Sequence, residues 1–183
     1  AVMAQDSLSG EYAQRWVVVL NLRRLNTINA VYGFSFCESL QRRIARRLEA
    51  HCTPTRRLYL ASYGRFAVYL QEVLSQDELL EFCRELVETL KGVALVSTYG
   101  CGIGIRKIEG EDDDPEILIH NGGLAAENAD PSKAFACRFF DQELAEEISR
   151  RGEIEDLLLS VALGEKEDAL FLEYQPIIEP KSH

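Results

Sequence analysis

Two short segments carry the side chains that could meet over a ligand. The run WVVVLNL, Trp16 to Leu22, closes on a polar Asn21, and RLYLASYGRFAVYL, Arg57 to Leu70, sets Ser62, Tyr63, Gly64 and Arg65 between two β-rich arms. A near-continuous valine and leucine run reads as a strand covered on both faces, hence central in a sheet. Gly64 is available for a positive-φ turn position, so the second segment reads as a hairpin. If strand and hairpin are neighbours, Asn21 and the tip at Gly64 come together, and chemistry belongs at that junction. Between Trp16 and Phe66 the chain holds nine arginines against Glu38 and Glu49, while its overall formal charge is -10. Such a split attracts an anionic ligand or seats acidic protein. Acidic protein is favoured, and nucleic acid is set aside, because nucleic-acid domains are more often basic overall.

Other candidates carry less. Five cysteines, Cys37, Cys52, Cys83, Cys101 and Cys137, are scattered without a CxxC pair, which argues against a disulfide framework or zinc site and fits a reducing cytoplasm. His51, His120 and His183 are far apart. The glycines of GCGIG, Gly100 to Gly104, lack the strand-to-helix GxGxxG context of a phosphate loop, and a strand packed closely by another backbone explains them better. The acidic loop Glu109 to Pro115 lacks calcium-loop spacing; Asp114 and Pro115 read as a helix cap and first-turn proline.

The elements that must position the junction follow from periodicity. After the first strand an asparagine-rich turn bends through Gly33 into a helix from about Phe36 to Cys52, with Phe36, Leu40, Ile44 and Leu48 as its apolar stripe and Arg42, Arg43, Arg46 and Arg47 mainly off it. Ser75 with Glu78 forms a capping box for a helix that stops near Gly92. Val93 to Ile108 is β-rich, Ile117 to about Asn128 is helical, and AFACRFF is a last strand ending at Phe140. From Asp141 the charged pattern reads as a connector helix with Leu144, Ile148, Leu158 and Val161 on contact faces, and Leu170 to Ile178 reads as a strand. No apolar run is long enough to span a bilayer. The 183 residues suit one core with an appendage.

These residues resemble the GGDEF domain, whose active members are diguanylate cyclases that condense two GTP molecules into cyclic di-GMP. LNLRRLNTINAVYGFSFCESLQRRIARRL is similar to the family's LDLDRFKxINDxxGHxxGDxLLxxVAxRL, RLYLASYGRFAVYL to RxGGDEFAVLL, and NGGLAAENADPSKAFACRFFD to NAGLAMYRAKEAGRNRYRFFD. The segment from Glu143 to Ile178 resembles the connector and first strand of an EAL phosphodiesterase domain in tandem GGDEF-EAL proteins. The resemblance implies an α/β (α+β sandwich) fold like the palm of nucleotidyl cyclases, a mainly antiparallel sheet of about five strands with helices on both faces. It divides the chain into a degenerate GGDEF domain (1–140), a connector helix (141–169) and the start of an EAL domain (170–183).

The same resemblance implies a degenerate site. The signature is Ser62, Tyr63, Gly64, Arg65 and Phe66, so no catalytic residues are expected. The metal carboxylates of the family correspond to Asn21 and Gly64, and Mg²⁺ needs oxygen ligands to do phosphoryl chemistry. Guanine reading corresponds to Asn29 and Glu38. The phosphate-holding positions are Asn26, Asp130 and Ala134, and the product site corresponds to Thr53 and Arg56. Bulky Tyr63 should fill part of the nucleotide pocket. The expectation is a non-catalytic regulatory or dimerisation module, without metal or cofactor, partnered by its own C-terminal EAL domain, an upstream sensory region and a second copy. The alternatives are a GTP-binding allosteric sensor or a residual cyclase, and only these would bring Mg²⁺. A cytoplasmic location without direct membrane insertion is expected.

Overall fold

The structure, a computed structural model, describes residues 15–110 and 114–165. Its chain contacts divide it into two units, with the boundary between Asp141 and Gln142. In the first unit five strands, β1 (Arg15–Leu22), β2 (Arg56–Ser62), β3 (Arg65–Leu70), β4 (Cys101–Ile108) and β5 (Phe135–Phe139), form one sheet in the order β2-β3-β1-β4-β5. All pairs are antiparallel except β4 with β5. The sheet is thus mixed and mainly antiparallel, as expected, with β1 at its centre.

Alternation along β1 sends its side chains to two cores. Trp16, Val18, Leu20 and Leu22 join Phe66, Val68, Leu70, Cys101, Ile103 and Ile105 in the larger one. It is closed by α1 (Leu25–Tyr32), α2 (Phe34–Leu48), α3 (Gln76–Lys91) and α4 (Ala94–Tyr99). Val17 and Val19 face the other way, with Ala67, Tyr69 and Leu118 of α5 (Pro115–Glu127). Each fully buried aliphatic or aromatic side chain of this kind contributes about 1.5–3 kcal/mol. That two-sided burial is why β1 lacks the polar alternation of an exposed strand.

The glycines of β4 are explained by α5. A Cβ at Gly104 would lie 2.5 Å from the Ala126 backbone nitrogen and overlap the Gly122 carbonyl oxygen, and one at Gly102 would overlap the Ala126 carbonyl oxygen. Helix backbone therefore rests directly on strand backbone, the close packing expected from GCGIG. Both predicted caps are present. Ser75 Oγ accepts from the Glu78 amide at 3.3 Å while the Glu78 carboxylate accepts from the Ser75 amide at 2.8 Å, and Asp114 accepts from the Glu116 amide at 2.8 Å.

Three local readings are corrected. The asparagine-rich segment before Gly33 is a two-turn helix, α1, because Leu25 and Ile28 fall three apart and are both buried. Phe36 lies off the inward stripe of α2 and is 38% exposed; the helix starts at Phe34 and buries Cys37, Leu40, Gln41, Ile44 and Leu48. Residues 94–99 are helical rather than extended, with Val93 and Val96 buried against the main core, so tertiary packing outweighs β-branched preference there. The strand read at Leu170 to Ile178 lies outside the described residues. The second unit contains α6 (Gln142–Ala162), on which Ile154 and Leu158 are exposed.

Candidate functional site

The expected junction forms. Asn21 pairs with Arg65 across β1 and β3 and with Gly102 across β1 and β4. Just beyond, the Leu22 amide donates to the Gly64 carbonyl at 2.9 Å and the Arg23 amide to the Gly100 carbonyl at 3.1 Å. The end of β1 is thereby tied to both neighbouring turns. Arg24 then takes a left-handed conformation, φ 54°, that turns the chain into α1.

The hairpin tip is built around a glycine that can be nothing else without strain. Gly64 has φ 79°, and a Cβ there would sit 2.7 Å from Leu25 Cδ2. Its amide donates to Gln41 Oε1 at 2.8 Å, while Gln41 Nε2 donates to the Cys37 carbonyl at 3.4 Å. Gln41 is the buried polar side chain of α2 and fixes the hairpin to the helix. Sequence reading passed over it, although a glutamine beside Leu40 in an inward apolar stripe is the signal of a buried amide with a specific partner.

Arg65 and Tyr63 occupy the ground beside the tip. The Arg65 guanidinium forms an ion pair with Glu127 near the end of α5 and lies over Gly123, 3.1 Å from where a Cβ would stand. Tyr63 reaches the other way. Its ring stacks parallel to Phe34, centroids 6.2 Å apart. The neighbouring Cys37 thiol, with burial and the charge of Glu38, pushes its phenol up to about 12. Tyr32 stacks on Phe36 at 4.8 Å. Around Gly33, Val31 (68%), Tyr32 (51%) and Phe34 (59%) stay exposed, and Tyr63 (41%) of the hairpin joins them through Phe34.

The remaining site positions are brought near this junction to different degrees. Asn29 and Glu38 lie on either side of Gly33, on α1 and α2. The Asn29 carbonyl accepts from the Gly33 amide at 2.8 Å, and the Glu38 carboxylate accepts from Arg42 at 3.3 Å. Asn26 is exposed on α1. Asp130 is engaged within its own loop: its carboxylate accepts from the Ser132 hydroxyl at 2.6 Å and amide at 2.9 Å, and those bonds, with Lys133, hold it below the usual carboxylate range. Ala134 gives its carbonyl to the Cys101 amide at 2.8 Å. Thr53 and Arg56 exchange both backbone hydrogen bonds at 3.1 Å, and the Arg56 guanidinium turns to Glu72 and the face of Phe82.

Arg23 is the residue whose role only the folded chain discloses. Its guanidinium donates to the carbonyls of Ala129, Asp130, Pro131 and Lys133 at 2.7–3.3 Å. A cation bonded to four carbonyls folds the loop that follows α5 and holds it against the end of β1.

A central β1 flanked by an antiparallel hairpin and a glycine-rich strand, with helices on both faces, defines the palm architecture of nucleotidyl cyclases. Residues 4–134 match the family model described as diguanylate cyclase, GGDEF domain, and the chain belongs to that family, a domain class of cyclic di-GMP signalling. The chain is 26% identical over 170 residues to an uncharacterized protein of Synechocystis sp., covering 91% of this chain and 24% of that protein, so it spans about a quarter of the relative's length. Among solved structures it is similar to the GGDEF domain of YfiN from Pseudomonas aeruginosa, with TM-score 0.61, 18% identity, and coverage of 75% of this chain and 83% of that one. An EAL/GGDEF domain protein from M. capsulatus gives TM-score 0.61 at 16% identity, covering 76% and 92%. The S helix-GGDEF-EAL portion of LapD from Vibrio cholerae, bound to c-di-GMP, gives 0.57 at 13%, covering 80% and 37%. Among the described residues no helix is long and apolar enough to cross a membrane.

Proposed function

We propose that this GGDEF domain is non-catalytic and acts as a regulatory module, passing signals from an upstream region to an EAL phosphodiesterase domain that follows it. The observation that carries the proposal is the state of the signature hairpin. Its fourth position is a cation, Arg65, paired with Glu127, and its second is Tyr63, laid on Phe34. Condensing two GTP molecules requires the opposite: oxygen ligands for Mg²⁺ and open space for a triphosphate. Asn21 offers a neutral amide, Gly64 has no side chain and no room for one, and Arg65 sets a positive charge beside both. This donor set does not fit Mg²⁺. Asp130, in place of a phosphate-holding cation, repels a triphosphate.

Regulation by such a domain runs through protein contacts. Exposed Arg42, Arg43, Arg46 and Arg47 on α2 suit an acidic protein surface, and α6 is the segment that would carry the signal onward. The EAL partner, the upstream input and a dimer belong to this reading and rest on the resemblance of the connector.

A second reading is a guanine-nucleotide sensor, favoured by Glu38 and Asn29. The Glu38 side chain is 44% exposed and makes a surface pair with Arg42, an interaction weak enough to give way to a base edge. Calorimetric titration with GTP, with and without Mg²⁺, on the native chain, Glu38→Ala and Tyr63→Gly separates the readings. The regulatory module gives no heat for the native chain and no cyclic di-GMP on long incubation. Micromolar binding abolished by Glu38→Ala establishes the sensor instead, and any product formation establishes a cyclase.

A further inference from the structure

One flank of α2 is exposed along its length and carries two chemistries. Its first turn holds Phe36, stacked on Tyr32 at 4.8 Å with both rings open to water. Its later turns hold Arg43 and Arg46, both exposed. At about 3.6 residues per turn, Arg43 projects within about 20° of Phe36, and Ser39 and Arg46 fall about 60° and 80° from it, on the side away from the buried stripe of Cys37, Leu40, Gln41, Ile44 and Leu48. Small, exposed Ser39 lies between the aromatic and basic ends. The neighbouring arginines are engaged: Arg42 donates to Glu38 at 3.3 Å, and the Arg47 guanidinium lies against Gly92 at the end of α3. No hydrogen bond or ion pair holds Arg43 or Arg46 among the described residues.

We propose that a second copy of this chain docks on this flank, the two α2 helices crossing antiparallel about a two-fold axis near Ser39, so that Arg43 and Arg46 of each copy close over the Tyr32–Phe36 stack of the other. The flank is self-complementary in that arrangement. An axis between Ser39 and Leu40 sets Phe36 opposite the partner's Arg43, and Gly33, next to Tyr32, opposite the partner's Arg46. A two-fold contact demands this reciprocity, since a residue that meets another must be met by it in turn. A guanidinium is attracted to an aromatic face and stacks on it, and the same contact covers the exposed rings. Ser39 at the crossing lets the helix axes approach to about 8–10 Å. The proposal rests on the regulatory reading, to which a dimer belongs, and assigns Arg43 and Arg46 to that dimer.

Charge selects both the orientation and the occupant. A parallel pairing would set Phe36 on Phe36 and Arg43 on Arg43, like charge on like charge. In the antiparallel one, Arg43 and its copy are offset by about 10 Å along the helix and Arg46 and its copy by about 20 Å, beyond a Debye length of about 8 Å in physiological salt. A purely acidic surface would satisfy the guanidinium groups but leave the rings of the same flank uncovered, whereas a second copy supplies a cation for each stack and a stack for each cation. The 15 residues of α2 span about 22 Å. One flank of such a helix falls short of the about 800 Å² per partner of a standard interface, so association in the micromolar range is expected.

The test is sedimentation equilibrium of the full chain from low micromolar to about 300 µM, with reductant present. The expected result is a monomer–dimer equilibrium with a micromolar Kd, weakened more than about tenfold by Arg43→Ala and by Phe36→Ala, both at exposed positions. Geometry is read by cross-linking: Ser39→Cys, oxidised and mapped by mass, should join two copies through position 39, while Arg46→Cys, about 20 Å from its copy, should not join through position 46. A chain that stays monomeric overturns the proposal and returns Arg43 and Arg46 to an acidic protein surface. So does a dimer that Arg43→Ala leaves intact, or one that fails to link through position 39. In any of these cases absent GTP heat and absent cyclic di-GMP still support the regulatory reading, so the two fail separately.

Discussion

Reversing the charge of Arg65 tests whether the signature hairpin has become a structural clasp. The Arg65 and Glu127 side chains are 30% and 43% exposed, so the pair is neither buried nor fully solvated. Two unit charges about 4 Å apart interact by about 1 kcal/mol in water and about 4 kcal/mol at an effective dielectric of 20. Solvent screening and side-chain freedom bring the net value of such a pair to about 1 kcal/mol. Arg65→Glu loses that attraction and adds a comparable repulsion, so it should cost about 2 kcal/mol in urea unfolding. Glu127→Arg should cost about as much. The double variant Arg65→Glu/Glu127→Arg restores opposite charges across the same gap and should recover most of the loss, with a coupling energy of about 3 kcal/mol in low salt. In 0.5 M salt the coupling should shrink, because the pair is in reach of mobile ions. If the double variant is as destabilised as the two single variants combined, Arg65 and Glu127 do not act on each other and the clasp is refuted.

Gly104→Ala forces a methyl into α5 backbone and should destabilise the domain by about 3 kcal/mol, the upper part of the overpacking range; a cost below 1 kcal/mol would show that β4 and α5 are not in direct backbone contact. Gly152→Ala on α6, where nothing lies within 4 Å of the new methyl, should instead gain about 0.5–1 kcal/mol of helix stability, measured by the helical signal during urea unfolding. Restoring carboxylates with Asn21→Asp and Gly64→Asp should not restore synthesis of cyclic di-GMP from GTP and Mg²⁺, since the left-handed tip and Leu25 oppose a side chain at 64 and Arg65 remains; product detected by chromatography would refute this. The Ser75 hydroxyl and amide hold the Glu78 carboxyl below the usual range, so its stabilising contribution is present above the unfolded carboxylate pKa and is lost as pH falls through the lower folded value. Glu78→Gln should therefore flatten that part of the acid-unfolding profile.

Much of the fold is legible locally. The unbroken apolar run of β1, the Ser75–Glu78 capping box and the Asp114–Pro115 start of α5 each involve neighbours within a few residues, and each appears where periodicity puts it. The misread segments fail for one physical reason. Leu25–Tyr32 and Ala94–Tyr99 are short, polar or β-branched, and are helical because Leu25, Ile28, Val93 and Val96 reach a core assembled from distant strands. The candidate site shows the same limit: residue types at 21, 62, 63, 64 and 65 point to missing acids, but not to what replaced them.

By itself the sequence determined the element types with strong periodicity, the family pattern and the absence of acidic side chains from residues 62–66, because those depend on residue identity and short-range spacing. Only the tertiary structure decided that Glu127 faces Arg65, that Gln41 holds the Gly64 amide, and that Arg23 gathers the loop from 129 to 133. Those partners lie 23 to 110 residues apart. A polar or ionisable side chain states what it can bond to, and the packing of sheet and helices selects which distant group is within reach.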